Sequence, residues 1–291
     1  MAEKIDIYDW EKKLKSVLRR LDDSDIIQKN KELILDFHKQ QIAEGIGVGR
    51  RAKIIQVLWV LSKNIKKSFD TLDKDDIIDL VGFIETQKWS AWTKHDYKVI
   101  LRKFFKWLRN SKDYPDEVSW IKASYPKNTL RANQLLTGED IKRMVEVATN
   151  PRDKAFIFIL YESGCRIGEL LTVRIKDVEF DEYGAFLNVT GKTGPRRVRI
   201  IKSVPLLTIW LNCHKYSKNP NAPLWIRLNN PEMKFMATPT VRSFLKKVVR
   251  KAGIEKRVHP HLFRHSRATH LASQIPESLL KKHMGWSVSV V

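Results

Sequence analysis

One short stretch of this sequence concentrates side chains that hold or transfer charge. The segment HPHLFRHSRATHL, residues 259–271, contains four histidines and two arginines but no carboxylate. Histidine titrates near neutral pH and can act as an acid or a base, whereas arginine stays protonated and offers a planar fork of donors. The segment is therefore a candidate for a site that protonates, or stabilises, a negatively charged group.

A metal site is the first alternative for this segment. His261 and His265 lie one helical turn apart, a spacing that is common among metal ligands. The segment holds no cysteine or carboxylate to complete a ligand set, and Pro260 breaks the helical register between His259 and His261. We therefore expect no metal, while a structural or surface role stays open for each single histidine.

Three further positions could belong to the same site as His261 and Arg264. They are Arg166 in SGCRIGELL, Lys192 in the turn-rich GKTGPRR, and Trp286 in HMGWS. Each of these motifs alone is a weak signal.

Together the motifs resemble the tyrosine recombinases, a family that includes the phage-type integrases and the Xer-like resolvases. SGCRIGELL resembles the family's first-arginine box, and HPHLFRHSRATHL resembles its His-x-x-Arg box. The GW of HMGWS is similar to a later Gly-His or Gly-Trp position, and the motifs follow the family's order. The resemblance covers the organisation of the whole chain.

The resemblance implies roles for three of these side chains at the phosphate of a DNA strand. Arg166 and Arg264 would clamp the phosphate, because fixed donors must meet the charge that builds on its oxygens when no metal is present. His261 would hydrogen-bond a phosphate oxygen or help the nucleophile lose its proton.

By the same resemblance, Lys192 would donate a proton to the departing 5′ oxygen, and Trp286 would donate its indole N–H to the phosphate. Glu169 matches an acidic position of the family and would orient neighbours such as His265. The reaction would need no metal, no ATP and no cofactor.

The family's nucleophile is a tyrosine that forms a 3′-phosphotyrosyl bond. It normally lies about nine residues beyond the Gly-Trp position, which by count from Trp286 falls just past Val291. Truncation of the natural sequence and a naturally nucleophile-free relative both remain open, whereas recruitment of Tyr161 or Tyr216 is disfavoured. As it stands, the chain is expected to bind DNA without cleaving it.

The elements that must carry these residues fall into two halves of different charge. Residues 1–128 hold 26 basic and 20 acidic side chains, whereas residues 129–291 hold 28 and 13. The net charge of +21 favours a polyanionic partner such as DNA or RNA, with anionic membrane surfaces as the competing partner. The polar segment 111–134, which contains two prolines, suggests a linker between the halves. With the linker set at 116–136, the resemblance implies a DNA-binding domain at 1–115 and a catalytic domain at 137–291.

Hydrophobic periodicity predicts that the first domain is a small helical bundle, with Thr93 as an N-cap and in-phase aromatic residues such as Phe104 and Phe105 in its core. The resemblance identifies this bundle with the family's core-binding, SAM-like domain. In the second half, the strand-like runs IKDVEF, AFLNVTG and RRVRII predict a small three-stranded antiparallel sheet among helices. The fold class is therefore mainly α, with an α+β catalytic domain.

Basic residues on two helices of the first domain are candidate phosphate contacts, with an ordinary solvated surface as the alternative. They are Arg50, Arg51, Lys53, Lys94, Lys98 and Arg102.

The sequence contains no run of 18 apolar residues and no signal-peptide pattern, so we expect a cytoplasmic protein, nucleoid-associated if its source is prokaryotic. Cys165 and Cys213 are expected to be buried small hydrophobic residues. The resemblance implies double-stranded DNA as the partner, a homotetramer on two DNA sites, no membrane association and a monomer without DNA. A non-catalytic DNA-binding regulator with the same fold is the main alternative, and a type IB topoisomerase is disfavoured by the small helical first half.

Overall fold

The computed structural model describes residues 5–125, 131–191, 194–229 and 232–286. The chain folds into two compact units. The N-terminal unit is Asp9–Thr129, and the C-terminal unit is Leu130–Val291 together with Met1–Tyr8. The chain therefore passes twice from one unit to the other. The domain boundaries inferred from sequence stay a prediction.

Six α-helices form the described part of the N-terminal unit, in this order: α1 (Trp10–Asp22), α2 (Gln28–Ala43), α3 (Val48–Ser62), α4 (Lys74–Thr86), α5 (Ala91–Leu108) and α6 (Asp116–Ser119). Helix α4 begins with a capping box, in which Asp73 and Asp76 satisfy each other's backbone N–H groups. Helix α5 is capped by Ser90, whose hydroxyl accepts from the Thr93 N–H at 3.1 Å. The expectation that Thr93 is the cap is wrong, because Ser90 precedes the first helical residue and reaches the free donor.

The core of the N-terminal unit is aromatic. Phe104 and Phe105 are fully buried, as the periodicity predicts. Phe104 packs edge-on against Phe69 and Phe37, with ring centroids 5.0 and 5.4 Å away. Helix α6 lies within the segment that the sequence assigns to a linker, and its Val118 is fully buried in the same core.

The C-terminal unit contains seven described α-helices and one sheet. The helices are α7 (Gly138–Val147), α8 (Pro151–Ser163), α9 (Ile167–Leu171), α10 (Val204–Cys213), α11 (Thr238–Lys251), α12 (Pro260–Ala272) and α13 (Glu277–Met284). The strands are β1 (Val178–Asp181), β2 (Gly184–Gly191) and β3 (Gly194–Ile200). They pair in the order β1-β2-β3, both pairs antiparallel, which confirms the predicted sheet.

The apolar interior of the C-terminal unit surrounds α8. Phe156 of this helix packs edge-on against Trp225 and Phe244, with ring centroids 5.0 and 5.6 Å away. Gly164 ends the helix in the left-handed conformation, with φ of 58°. The chain therefore turns sharply just before Arg166.

The first described residues of the chain complete this interior. Ile7 is buried among the apolar side chains of the C-terminal unit, and its carbonyl accepts from the Thr238 N–H at 2.7 Å. That bond satisfies a backbone donor in the first turn of α11. We call residues 5–8 the N-terminal strap.

Two further expectations meet the structure here. Cys165 is buried, but Cys213 is exposed, so the expectation for Cys213 is wrong: it is the last residue of α10, where the helix surface meets solvent. In the described part of the chain no helix combines the length and the apolar character needed to cross a lipid bilayer.

Candidate active site

Arg166 is held at the start of α9 by its own helix. It is the N-cap residue, and its backbone N–H donates to Glu169 Oε2 at 2.8 Å. Its guanidinium Nη1 donates to the other oxygen, Glu169 Oε1, at 2.9 Å. The side chain remains about one-third exposed, at 31%. One carboxylate thus fixes the backbone and the side chain of an arginine that still reaches solvent.

Glu169 is buried between two guanidinium groups. Arg196 Nη2 donates to Glu169 Oε2 at 2.7 Å, the oxygen that also accepts from the Arg166 backbone N–H. Burial alone would raise the pKa of Glu169, but the hydrogen bonds from Arg196 and Arg166 outweigh it and lower the pKa to about 2. The carboxylate is therefore ionised at all physiological pH values. Its described hydrogen bonds go to the arginines, and the orienting of His265 stays a prediction.

Arg264 lies on α12 and is almost fully buried, with 6% of the residue exposed. Its Nη1 donates to the carbonyl of Gly164 at 2.9 Å, and its Nη2 donates to the carbonyl of Met284 at 2.5 Å. Burial and the nearby charge of Arg166 lower the pKa of Arg264 to about 10. The group is still a cation at neutral pH, and its orientation is fixed by two elements.

Arg166 and Arg264 meet at the end of α13. Arg166 Nη2 lies 3.5 Å from the carbonyl oxygen of Gly285, next to the Met284 carbonyl that Arg264 holds. From the sequence, only the family resemblance predicts that these two arginines share a site. In the structure both guanidinium groups lie at the adjacent carbonyls of Met284 and Gly285.

His261 and His265 are both exposed on α12. The pKa of His261 is lowered below its ordinary value. The main cause is partial desolvation of the imidazole, followed by the positive charges of His265, Arg264 and Arg166. A neutral imidazole at neutral pH can accept a proton or a hydrogen bond. His261 is thus electrostatically coupled to both arginines and open to solvent.

Trp286 is the last described residue and lies beside Arg264. The residue is 42% exposed, and its ring centroid is 5.9 Å from Arg264 Cζ. Gly285 takes the left-handed conformation at φ of 60°, which turns the chain off α13 toward the arginines. Lys192 lies outside the described residues, between the end of β2 and the start of β3.

Arg196 is a member of this cluster that sequence reasoning missed. Its Nε donates to the carbonyl of His283 at 3.1 Å, and its side chain is 10% exposed. The available signal was the alternation along β3, where Val198 and Ile200 point into the core. Arg196 shares their face, whereas Arg197 points outward.

His283 was also missed. Burial, followed by the positive charges of Arg267, Arg196 and Arg264, lowers its pKa to about 4. The imidazole is therefore neutral in the folded protein at neutral pH. Among the described residues, its Nε2 is buried without a hydrogen-bond partner.

A basic groove borders His261. It has a volume of about 1050 Å³, and Arg242, Lys246 and Arg250 of α11 lie along it at four-residue spacing, which places them on one helix face. Arg257 and His261 line it too, and none of the described lining residues is acidic. Such a groove attracts an extended polyanion.

Each of the six basic residues predicted to contact DNA from the N-terminal unit already lies against another side chain of that unit. Asp96 lies 4.0 Å from an Arg50 nitrogen and 3.5 Å from Lys53, while Lys98 is 2.7 Å from Glu85. The others are bound as follows: Lys94 to Glu85 at 3.6 Å, Arg51 to His38 Nε2 at 3.0 Å, and Arg102 over the Tyr114 ring at 3.9 Å. Their contact with phosphate stays a prediction.

The described cluster can bind an anion with several oxygens. It combines two oriented guanidinium groups, the imidazole of the exposed His261 and the indole N–H of the exposed Trp286, which are all hydrogen-bond donors suited to phosphate. Among the described residues, no group of three or more His, Cys, Asp or Glu side chains is arranged to hold a metal ion.

Comparison with known proteins relates this chain to a characterised family. Residues 134–290 match the model of the phage integrase family. Tyrosine recombinase XerA of Pyrococcus furiosus is 33% identical over 148 residues, half of this chain and half of that protein. A tyrosine recombinase of Thermosipho africanus is 28% identical over 254 residues, 84% of this chain and 81% of that protein.

Solved structures show the same fold. A crystal structure of lambda integrase bound to DNA matches with a TM-score of 0.68 at 13% identity, covering 88% of this chain and 90% of that one. The predicted fold class, mainly helical with a small antiparallel sheet, is confirmed by this likeness.

Proposed function

The chain belongs to the phage integrase family, and from that membership we propose that it acts on double-stranded DNA as a site-specific recombinase. The names of its relatives, which are tyrosine recombinases, support this proposal. The chain spans only about half the length of the XerA relatives of Pyrococcus furiosus and Pyrococcus horikoshii, so the proposed activity rests on the site as well as on the family.

The observation that carries the proposal is the meeting of Arg166 and Arg264 at the adjacent carbonyls of Gly285 and Met284. Two guanidinium groups oriented from different elements can grip the two non-bridging oxygens of one phosphodiester. They stabilise the negative charge that builds there as phosphorus is attacked. His261 and the indole N–H of Trp286 add donors at the open side of the same cluster.

The proposed reaction is a transesterification. The phenol oxygen of a tyrosine attacks phosphorus, a 3′-phosphotyrosyl bond forms, and the bond from phosphorus to the 5′ oxygen breaks. The tyrosine loses its proton toward His261 and the 5′ oxygen gains one from Lys192, so one ester replaces another without ATP or metal. In the family this tyrosine lies about nine residues beyond the Gly-Trp position.

The partners follow from the same proposal. Both units contribute DNA contacts, four copies assemble on two DNA sites, and the protein is a monomer without DNA. The proposed location is the cytoplasm, on the nucleoid in a prokaryote.

A covalent-capture experiment tests the activity. A form of the protein that includes the family's tyrosine is incubated with duplexes that carry a nick near the cleavage site. We expect an adduct that survives denaturant, is insensitive to chelator, and disappears in Arg166→Ala and Arg264→Ala.

The matched control is Arg197→Ala, which removes a guanidinium from the exposed face of β3 and should leave the adduct intact. DNA binding without an adduct on any duplex would favour a non-catalytic regulator with the same fold. Loss of the adduct with chelator would exclude the metal-free reaction.

A further inference from the structure

Arg196 joins three parts of the cluster. It donates to Glu169 Oε2 at 2.7 Å and to the carbonyl of His283 at 3.1 Å. It also lies so close to Gly285 that a Cβ at that position would come within 2.9 Å of Arg196 Nη1. One side chain of β3 therefore contacts the residue that holds Arg166 and the end of the helix that leads to Trp286.

Burying the Arg196 cation carries a desolvation free energy that a purely structural role would not justify. Nine-tenths of its side chain is buried, and its Nη1 is buried without a hydrogen-bond partner among the described residues. A buried ion pair often contributes no more to stability than apolar side chains of the same volume would. Stability alone is therefore a weak reason for an arginine on the inward face of β3.

The geometry gives a stronger reason. Glu169 Oε1 accepts from the Arg166 guanidinium, while Oε2 accepts from both the Arg166 backbone N–H and the Arg196 guanidinium. Without Arg196, the carboxylate keeps only its two bonds to Arg166, so it can turn more freely and fixes the Arg166 guanidinium less firmly. The carbonyl of His283 is also released, which loosens the turn at Gly285.

We propose that Arg196 is a positioning residue for strand cleavage, which sets the orientation of Arg166 through Glu169 and the place of Trp286 through the end of α13. This inference rests on the proposed recombinase function. Arg196 itself does not touch the phosphate. It acts by keeping the side chains that do so in one arrangement.

The experiment compares Arg196→Gln with the charge-conserving Arg196→Lys in a form of the protein that includes the family's tyrosine. Arg197→Gln is the matched control, since Arg197 is the next residue and pairs on the exposed face with Glu179 at 2.8 Å. The rate of adduct formation is measured at saturating nicked duplex in a single turnover, together with the Kd for DNA. Circular dichroism and Tm establish that each variant is folded.

We expect Arg196→Gln to lower the saturated rate about 100-fold, the size of effect that a small misplacement of reacting groups produces. The Kd should change by no more than about threefold, because the lost contacts serve the reaction geometry and not general phosphate binding. Arg196→Lys should recover part of the rate, since a single ammonium can still reach Glu169. Arg197→Gln should match the unsubstituted protein.

The pH dependence of the rate separates positioning from general damage. The titratable or charged groups that face Glu169 are Arg166, Arg196, Arg264, Cys165 and Tyr8. Burial raises the pKa of Glu169, and the bond from Arg196 is one of those that lower it, so loss of Arg196 raises this pKa. As the pH is lowered, Glu169 of the variant is then protonated earlier, and the rate begins to fall at a higher pH than in the unsubstituted protein. A merely destabilised protein would lose rate on the acid side only at those pH values where it also unfolds, so Tm is measured at each pH of the profile.

The outcomes distinguish this inference from the function on which it rests. An adduct in the unsubstituted protein that forms equally fast in Arg196→Gln, with the same pH profile, overturns the positioning role alone. Equal rate losses in Arg196→Lys and Arg196→Gln without a change in pH profile also overturn it. If the unsubstituted protein forms no adduct on any duplex, the proposed function fails and this inference fails with it.

Discussion

Arg166 and Arg264 donate toward the carbonyl oxygens of consecutive residues, Gly285 and Met284, although one arginine precedes α9 and the other lies within α12. The end of α13 is thus the point at which the two cations are brought together. Because the carbonyls are backbone groups, the geometry depends on the path of the chain as well as on the side chains. Changes at the backbone around α13 should therefore act on the whole cluster.

Arg264→Lys tests the two-pronged hold on α8 and α13. A lysine can supply one of the two donors to Gly164 and Met284, which leaves one buried carbonyl without its partner and costs about 1–3 kcal/mol of unfolding free energy. Denaturant unfolding of the C-terminal unit measures the loss. The control Arg197→Lys, on the exposed face of β3, should change the unfolding free energy by less than about 0.5 kcal/mol. An unchanged denaturant midpoint in Arg264→Lys would contradict a stabilising role for the two buried hydrogen bonds of Arg264.

Gly191→Ala tests the space around Glu169. A Cβ at Gly191 would overlap Glu169 Oε1 and lie 2.9 Å from its Cδ, so the carboxylate must move away from Arg166 or Arg196. We expect the unfolding free energy to fall by about 1–3 kcal/mol, as for other overpacked sites. Gly138→Ala is the control, since its added Cβ meets nothing within 4 Å. If the two variants have the same unfolding free energy, Glu169 can move to accommodate the added Cβ without loss of stability.

His283→Gln tests a pH dependence with a defined sign. The pKa of His283 is about 4 in the folded protein and near 6.5 when unfolded. Between these values the unfolded state binds a proton that the folded state does not, so stability falls as pH is lowered through this range, by up to about 1.4 kcal/mol per pH unit.

Without the imidazole, that part of the decline disappears. The unfolding free energy of His283→Gln should therefore change less between pH 6.5 and pH 4 than that of the unsubstituted protein, as measured by urea unfolding. Lys282→Gln, an exposed neighbour on α13, should keep the original slope. If both variants keep it, His283 does not titrate as its surroundings imply.

Local sequence signals account for part of this site and long-range packing accounts for the rest. Arg166 and Glu169 could be related from sequence because they lie three residues apart, the spacing of an N-terminal helix cap. Arg196 could not, because its partners come from α9 and α13 and no local pattern pairs them. The sheet and most helices follow periodic patterns, which is why the fold class was predictable.

The same distinction explains the remaining differences. The charges of Lys94 and Lys98 are readable from sequence, but their pairing with Glu85 depends on how α4 packs beside α5. The N-terminal strap gives no periodic signal, since it is only four described residues long. Its place in the C-terminal unit is decided by tertiary contacts alone.

Ile7→Ala tests the strap. Ile7 is 4% exposed, and truncating a buried isoleucine costs about 2–5 kcal/mol when the site cannot collapse. If the strap detaches, the Thr238 N–H loses its bond to the Ile7 carbonyl, and its hydrogen exchange should speed up by at least about tenfold. Ile209→Ala, at a position that is 50% exposed on α10, should leave that exchange unchanged. Unchanged Thr238 exchange in Ile7→Ala would show that the strap is held by other contacts.

The basic face of α11 should determine how DNA affinity depends on salt. Arg242, Lys246 and Arg250 lie on one side of the helix along the groove, where a DNA backbone would meet them in succession. Each phosphate contact that is lost should lower the magnitude of the slope of log K against log salt by about 0.9, because fewer counterions are released on binding. Replacing each residue by glutamine, and measuring duplex binding by fluorescence anisotropy from low to moderate salt, gives the three slopes. Lys142→Gln on α7 removes the same charge outside the groove and should leave the slope unchanged. If all four variants share one slope, the groove does not follow the DNA backbone, and the surplus charge of the C-terminal unit acts only as a diffuse field.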